Sequence, residues 1–111
     1  MKAYTDIEQS QKLAEILPLE SADMCYPLPY EDGDKPLLRQ GGFGSIPCWS
    51  LAALLNVLPF PILSKDKLGS GKEGWMVSAY PDNCRYDSCW HDNPIDACYE
   101  MIIKLQEFKN K

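Results

Sequence analysis

The chain is best interpreted outward from one stretch, Asn93-Pro-Ile-Asp-Ala-Cys-Tyr-Glu-Met-Ile-Ile-Lys-Leu-Gln-Glu-Phe108. Asn93 is a preferred N-cap residue, Pro94 suits the first helical position, and Asp96 adds a negative charge to the first turn. At 100° per residue, the apolar side chains cover about 200° of the helix circumference. They are Ile95, Cys98, Tyr99, Met101, Ile102, Ile103 and Leu105. The pattern predicts a helix over 94–108 that packs against more than one neighbour, most simply a sheet and a second helix.

Two shorter helices are predicted earlier in the chain. Thr5 and Glu8 have the spacing of a capping box, and Pro18 ends the apolar pattern that follows, which gives a helix over 6–17. Four leucines at helical spacing, closed by Pro59, give a second helix over about 48–58. Its start has alternatives, with Pro47 as a first-turn residue and Ser45 or Ser50 as the cap.

Short strands are predicted between the helices. Segments 23–28 and 36–40 are joined by the turn-like residues 31–34, and 75–80 and 84–90 form a hairpin closed by 81–83. The glycine-containing segments 41–45 and 64–74 are expected to be flexible loops. The order α-β-β-α-β-β-α predicts a single α+β domain over 1–111, with three helices packed on a small, mainly antiparallel sheet.

Composition and charge narrow the range of functions. The 111 residues are 45% hydrophobic and 24% charged, which is typical of a globular domain. The formal net charge is −5, and no basic run is present to replace phosphate counterions, so we expect no nucleic-acid partner. This charge is also modest for a protein that mimics DNA. The longest apolar stretch, 51–63, contains Asn56, Pro59 and Pro61 and is too short to span a membrane.

The five cysteines indicate a reducing cellular compartment and not a disulfide framework. Their number is odd, and charged residues near the start leave no apolar region of a secretory signal. We therefore expect reduced, free thiols in a cytoplasmic protein.

Two patterns in the sequence bear on whether the protein binds a cofactor. The glycine-rich segments 69–73 and 41–44 lack the spacing of a phosphate-binding loop or a dinucleotide fingerprint. Cys84, Cys89, His91 and Cys98 could be imagined as zinc ligands, but Cys84 and Cys89 would point to opposite faces of a strand and Cys98 lies in an apolar helix face. We expect neither a metal nor another cofactor.

A stretch around Cys48, Gly44-Ser-Ile-Pro-Cys-Trp-Ser50, allows two interpretations. It resembles the nucleophile motif of papain-like cysteine peptidases and the order of the NlpC/P60-type amidases. That resemblance implies a hydrolase in which Cys48 begins a helix as the nucleophile, His91 is the base and Asn93 orients it. The other interpretation makes Cys48 a small, buried core residue.

A second resemblance covers most of the chain. The motifs Cys48-Trp-Ser-Leu-Ala-Ala-Leu-Leu55 and 93–105 resemble an uncharacterised family of short bacterial proteins found near prophage or mobile-element genes. The family has no established activity, so the resemblance implies a genetic setting but no mechanism.

The aromatic residues suggest where a partner binds. Five of the twelve lie in predicted helices and strands and are expected in the core; these are Trp49, Trp75, Trp90, Tyr99 and Phe108. The loop 26–45 instead places aromatic rings among acids, prolines and glycines. Its candidate binding residues are Tyr26, Tyr30, Glu31, Asp32, Asp34 and Phe43. The sequence thus favours a non-catalytic accessory or protein-interaction module whose partner is another protein, with the cysteine hydrolase as the alternative.

Overall fold

The computed structural model describes residues 2–27, 31, 33, 35–38, 46–69 and 71–109. Over these residues the chain forms three α-helices and six short strands. The helices are α1 (Ile7–Ile16), α2 (Leu51–Val57) and α3 (Pro94–Lys109). The strands are β1 (Met24–Tyr26), β2 (Leu37–Leu38), β3 (Ile46–Cys48), β4 (Ile62–Lys67), β5 (Glu73–Ala79) and β6 (Tyr86–Asp87). The predicted α+β class is confirmed.

The strands form two antiparallel sheets of three strands each. Their orders are β2-β1-β3 and β4-β5-β6. The predicted hairpin corresponds to β5 and β6, with Ala79 opposite Tyr86. Strands β3 and β4 were not predicted from the sequence.

Strand β4 lies in a region that was expected to be flexible. It pairs with β5 along its whole length, from Ile62 opposite Ser78 to Lys67 opposite Glu73. The connecting turn uses Gly71 at a φ of +85°, a conformation that favours glycine. The glycines of this segment therefore mark a tight hairpin turn.

The helix starts differ from the predicted ones. Asp6, and not Thr5, caps α1, because its side chain accepts a hydrogen bond from the Gln9 backbone while Gln9 reaches back to the Asp6 N–H. Helix α2 begins at Leu51 with Ser50 as its cap. The prediction that this helix starts at Cys48 is wrong, because residues 46–48 pair with β1 as a strand.

The core lies where α3 meets β5 and α2. Ile95, Cys98 and Met101 are fully buried, and Ile102 is 5% exposed. These side chains pack with residues from the other elements, including Leu13, Trp49, Leu54 and Val77. The wide apolar face predicted for α3 is confirmed. None of the described helices has the length and apolar character that a membrane crossing requires.

Candidate functional site

The loop predicted to bind a partner lies only partly within the described residues. Tyr26 is 4% exposed; its hydroxyl donates a hydrogen bond to the Thr5 carbonyl over 2.8 Å, and its ring meets Tyr4 edge-on. The prediction that Tyr26 belongs to an exposed patch is therefore wrong, because its ring packs β1 against the N-terminal segment. Glu31 is exposed. Tyr30, Asp32, Asp34 and Phe43 lie outside the described residues.

The candidate nucleophile, Cys48, is a buried strand residue. Its Sγ donates to the Thr5 carbonyl over 3.4 Å and accepts from the Thr5 hydroxyl over 3.6 Å. Burial raises the pKa of the Cys48 thiol, and the hydrogen bond from Thr5 offsets only part of that effect. The thiolate that a nucleophile requires is therefore disfavoured at Cys48.

The other two residues of the hydrolase hypothesis have separate structural partners. His91 Nε2 lies 2.8 Å from Glu100 Oε1. Asn93 caps α3 as predicted, since its Oδ1 accepts the Asp96 backbone N–H over 2.8 Å. Among the described residues, no hydrogen bond joins Cys48 to His91 or Asn93. The structure gives no support to a Cys48–His91–Asn93 catalytic group.

A polar cluster forms around Glu100 instead. Its carboxylate accepts the Cys89 backbone N–H over 3.0 Å and lies 3.8 Å from Lys104 Nζ, in addition to its contact with His91. Burial raises the pKa of Glu100, but the hydrogen bonds from His91 and from the Cys89 backbone outweigh it, so the pKa lies below its usual value. Glu100 thus ties the segment that follows β6 to α3.

A second group of charges lies beside this cluster, in a polar groove of about 740 Å³ between α1 and α3. Lys2 Nζ is 3.0 Å from both Asp6 and Asp96, and Gln9 donates to Asp96 over 2.8 Å. Burial raises the pKa of Asp96, but the bonds from Gln9, Asn93 and Lys2 outweigh it and lower the pKa overall. These groups satisfy one another, which is the arrangement of a structural network.

The four residues considered as metal ligands lie in different environments. Cys98 is buried in the core, Cys84 and Cys89 are exposed, and His91 is bonded to Glu100. Within the described ranges, no three His, Cys, Asp or Glu side chains converge as a metal site requires. All five cysteines are free thiols.

The molecule also carries an apolar groove of about 880 Å³. Its walls come from four parts of the chain that are far apart in sequence. Ile16 and Leu17 lie at the end of α1, and residues 57–60 lie at and after the end of α2. Residues 80–82 and Cys84 lie between β5 and β6, Tyr86 begins β6, and the last turns of α3 add Leu105 and Phe108. The groove therefore exists only once all three helices and the β5–β6 connection have come together.

Phe60 forms a prominent part of the groove rim. Its side chain is 80% exposed, and its backbone φ is +47°, a left-handed conformation that is rare for a bulky residue. Pro59 and Pro61 flank it, and the Pro59 carbonyl accepts a hydrogen bond from the Tyr80 N–H over 2.9 Å. The ring is thus held towards solvent by a loop that is attached to the end of β5.

A contacting pair of aromatic rings also lines the groove. Tyr86 and Phe108 pack edge to face, with ring centroids 5.3 Å apart. Phe108 is 58% exposed, and Trp90, outside the groove, is 41% exposed, so the prediction that both lie in the core is wrong. Phe108 lies in the last turn of α3, and Trp90 lies between β6 and α3.

The groove is marked by one acid. Among its described lining residues, Asp82 is the charged one. Asp82 lies in the 3₁₀ turn Pro81–Asn83 with a φ of +53°, is exposed, and takes part in none of the ion pairs of the described residues. The site therefore combines apolar walls, an exposed aromatic side chain and an unpaired carboxylate.

The groove was not predicted from the sequence. The visible signal is Pro59-Phe60-Pro61, an aromatic side chain held between two prolines immediately after a helix. The chain matches no model of a known protein family, no curated protein and no solved structure.

Proposed function

We propose that this protein is a non-catalytic protein-interaction module, and that its apolar groove binds a segment of another protein. Apolar concavities rimmed by polar residues are typical of surfaces that bind ligands or partners. The single observation that carries the proposal is Phe60, an exposed ring at the rim of the groove. Covering such a side chain contributes about 1.5–3 kcal/mol of hydrophobic free energy.

The loop that holds Phe60 favours binding in a second way. Proline fixes its own φ, so Pro59 and Pro61 restrict the loop before any partner arrives. The hydrogen bond from Tyr80 to Pro59 adds a further restraint. Since the ring is already presented to solvent, less conformational entropy is lost on binding.

The hydrolase alternative is not supported by the geometry, because Cys48 is buried and its pKa is raised. The binding role of the loop 26–45 stays a prediction for the residues outside the described ranges. The cytoplasmic location and the association with mobile elements also stay predictions.

The proposal is tested by selecting binders to the folded protein from a library of displayed peptides that have random sequences and a length of about 12 residues. Peptides that bind the groove should lose about 2 kcal/mol of binding free energy, or roughly thirtyfold in affinity, in Phe60→Ser. Ile62→Ser is the matched control, because Ile62 is 52% exposed and lies on β4, outside the groove lining.

Binding that is retained in Phe60→Ser would contradict the proposal, as would the absence of any selected peptide. Both variants should unfold at nearly the same denaturant concentration as the parent protein, because surface substitutions change the stability little. That measurement separates a lost contact from a lost fold.

A further inference from the structure

The proposed groove has an electrostatic feature that narrows the choice of partner. Asp82 is exposed at the rim, and among the described lining residues no basic side chain accompanies it. The neighbouring Arg85 pairs with Asp87 over 2.9 Å and is not part of the lining. Over the described residues, the groove therefore presents a negative charge beside apolar walls with no basic side chain in its lining.

A partner that covers the groove also removes water from this carboxylate. Burying an ionised group without a partner is costly, whereas a hydrogen-bonded pair of opposite charge recovers much of the cost. A purely apolar segment would consequently gain binding free energy from the apolar walls but lose some of it by burying Asp82. A segment with a cation that reaches Asp82 would gain binding free energy from both contacts.

The aromatic lining favours the same kind of side chain. Lysine and arginine can lay their methylene stems along apolar surface while the charged end reaches a polar group. Their cations are also attracted to the faces of rings such as Phe60 and Tyr80, which both line the groove. The net charge of −5 adds a long-range attraction for a basic segment.

The position of Asp82 relative to Phe60 is restrained by the backbone. The 3₁₀ turn that carries Asp82 is closed by a hydrogen bond from the Cys84 N–H to the Pro81 carbonyl over 3.0 Å. Tyr80, which precedes that turn, is bonded to Pro59, which precedes Phe60. The acid and the aromatic side chain therefore lie on two connected loops that both line the groove.

We infer that the segment bound in the groove is a basic, amphipathic protein segment, with apolar residues against the walls and a lysine or arginine paired with Asp82. This inference rests on the proposed function, because it names the chemistry of the partner for the same site.

The experiment uses the peptide selected on the full-length protein that binds most tightly, together with copies in which each lysine or arginine is replaced by glutamine. One of these replacements should weaken binding about tenfold, and the effect should shrink at high salt. In Asp82→Asn the same replacement should change the affinity by less than about twofold, since the charge is gone.

Asp82→Asn is chosen because asparagine also accepts a left-handed backbone, so the turn is expected to keep its shape. The matched control is Asp66→Asn, which removes an exposed acid from β4, outside the groove lining. This control should leave the preference for the basic residue intact.

The outcomes separate the two proposals. Peptides that bind through Phe60 but contain no basic residue, or whose basic residues have no effect, overturn this inference and leave the proposed function standing. Peptides that bind regardless of Phe60 overturn the proposed function. A concentration-dependent dimer that Phe60→Ser dissociates would identify a second copy of the chain as the occupant and overturn both.

Discussion

Phe60 and Asp82 both have left-handed backbone conformations, with φ of 47° and 53°, although neither is glycine. They lie on two separate loops that a hydrogen bond between Tyr80 and Pro59 connects. Left-handed conformations of this kind cost about 1–3 kcal/mol each, persist where surrounding structure enforces them, and cluster at binding and catalytic sites. Both residues line the same groove, which supports the proposal that this groove is a binding site.

The first prediction concerns the stability of Phe60→Gly. Glycine relieves the left-handed strain, but it also makes the unfolded chain more flexible, so the two effects oppose each other. We expect the free energy of unfolding to change by less than about 1 kcal/mol, measured by denaturant titration. A loss above about 2 kcal/mol would show that the ring is part of the core and not an exposed binding residue.

The second prediction concerns the buried face of α3. Ile102→Ala should cost about 2–4 kcal/mol, because it removes apolar contacts and leaves a cavity at a residue that is 5% exposed. The same exchange at the exposed Ile62 should cost less than about 1 kcal/mol. Equal losses in the two variants, measured by denaturant titration, would contradict the placement of Ile102 in the core.

The sequence predicted α3 well because its signals are local. A cap, a proline at the first helical position and a regular apolar face all lie within sixteen residues, and α3 is Pro94–Lys109 as observed. Strand β3 was missed because its three residues, including Pro47, become a strand only through pairing with β1. The sequence around it shows glycines and a proline, which are typical of a loop.

The groove is less predictable for the same physical reason. It is formed by the ends of three helices and by the β5–β6 connection, and the sequence alone does not reveal which ends meet. Cys48 shows that a local motif can also indicate a site that the fold does not form. Its motif resembles a nucleophile, but the pairing of β3 with β1 and the contact with Thr5 place the thiol inside the protein.

The third prediction concerns the reactivity of four of the five thiols. Burial raises the pKa of Cys98 to about 12 and also raises the pKa of Cys48, whereas Cys84 and Cys89 are exposed. The thiols of the folded protein are alkylated at pH 8 and at about one pH unit above and below it, and the products are identified by mass spectrometry. Cys84 and Cys89 should be labelled first. Cys48 and Cys98 should react only when the protein unfolds. Rapid labelling of the folded protein that disappears in Cys48→Ala would contradict this prediction and support Cys48 as a nucleophile.

The fourth prediction concerns the pH dependence of stability through Glu100. Although burial raises its pKa, hydrogen bonds from His91 and the Cys89 backbone lower it below the usual 4.5 in the folded state. A carboxyl whose folded pKa is depressed binds fewer protons when folded, so its stabilising effect is complete above the unfolded pKa. That effect is lost as the pH falls through the lower folded value. Glu100→Gln should therefore cost about 1 kcal/mol at neutral pH, and the difference from the parent protein should shrink as the pH falls below about 4.5.

The control for this prediction is Glu107→Gln, because Glu107 lies on the same helix and beside the same polar groove but is exposed. Its unfolding free energy should follow that of the parent protein across the same pH range. Denaturant titrations at a series of pH values provide the comparison. If the difference between Glu100→Gln and the parent protein stays constant or grows as the pH falls below about 4.5, then the hydrogen bonds from His91 and Cys89 do not hold Glu100 ionised. The cluster would then join β6 to α3 by packing alone.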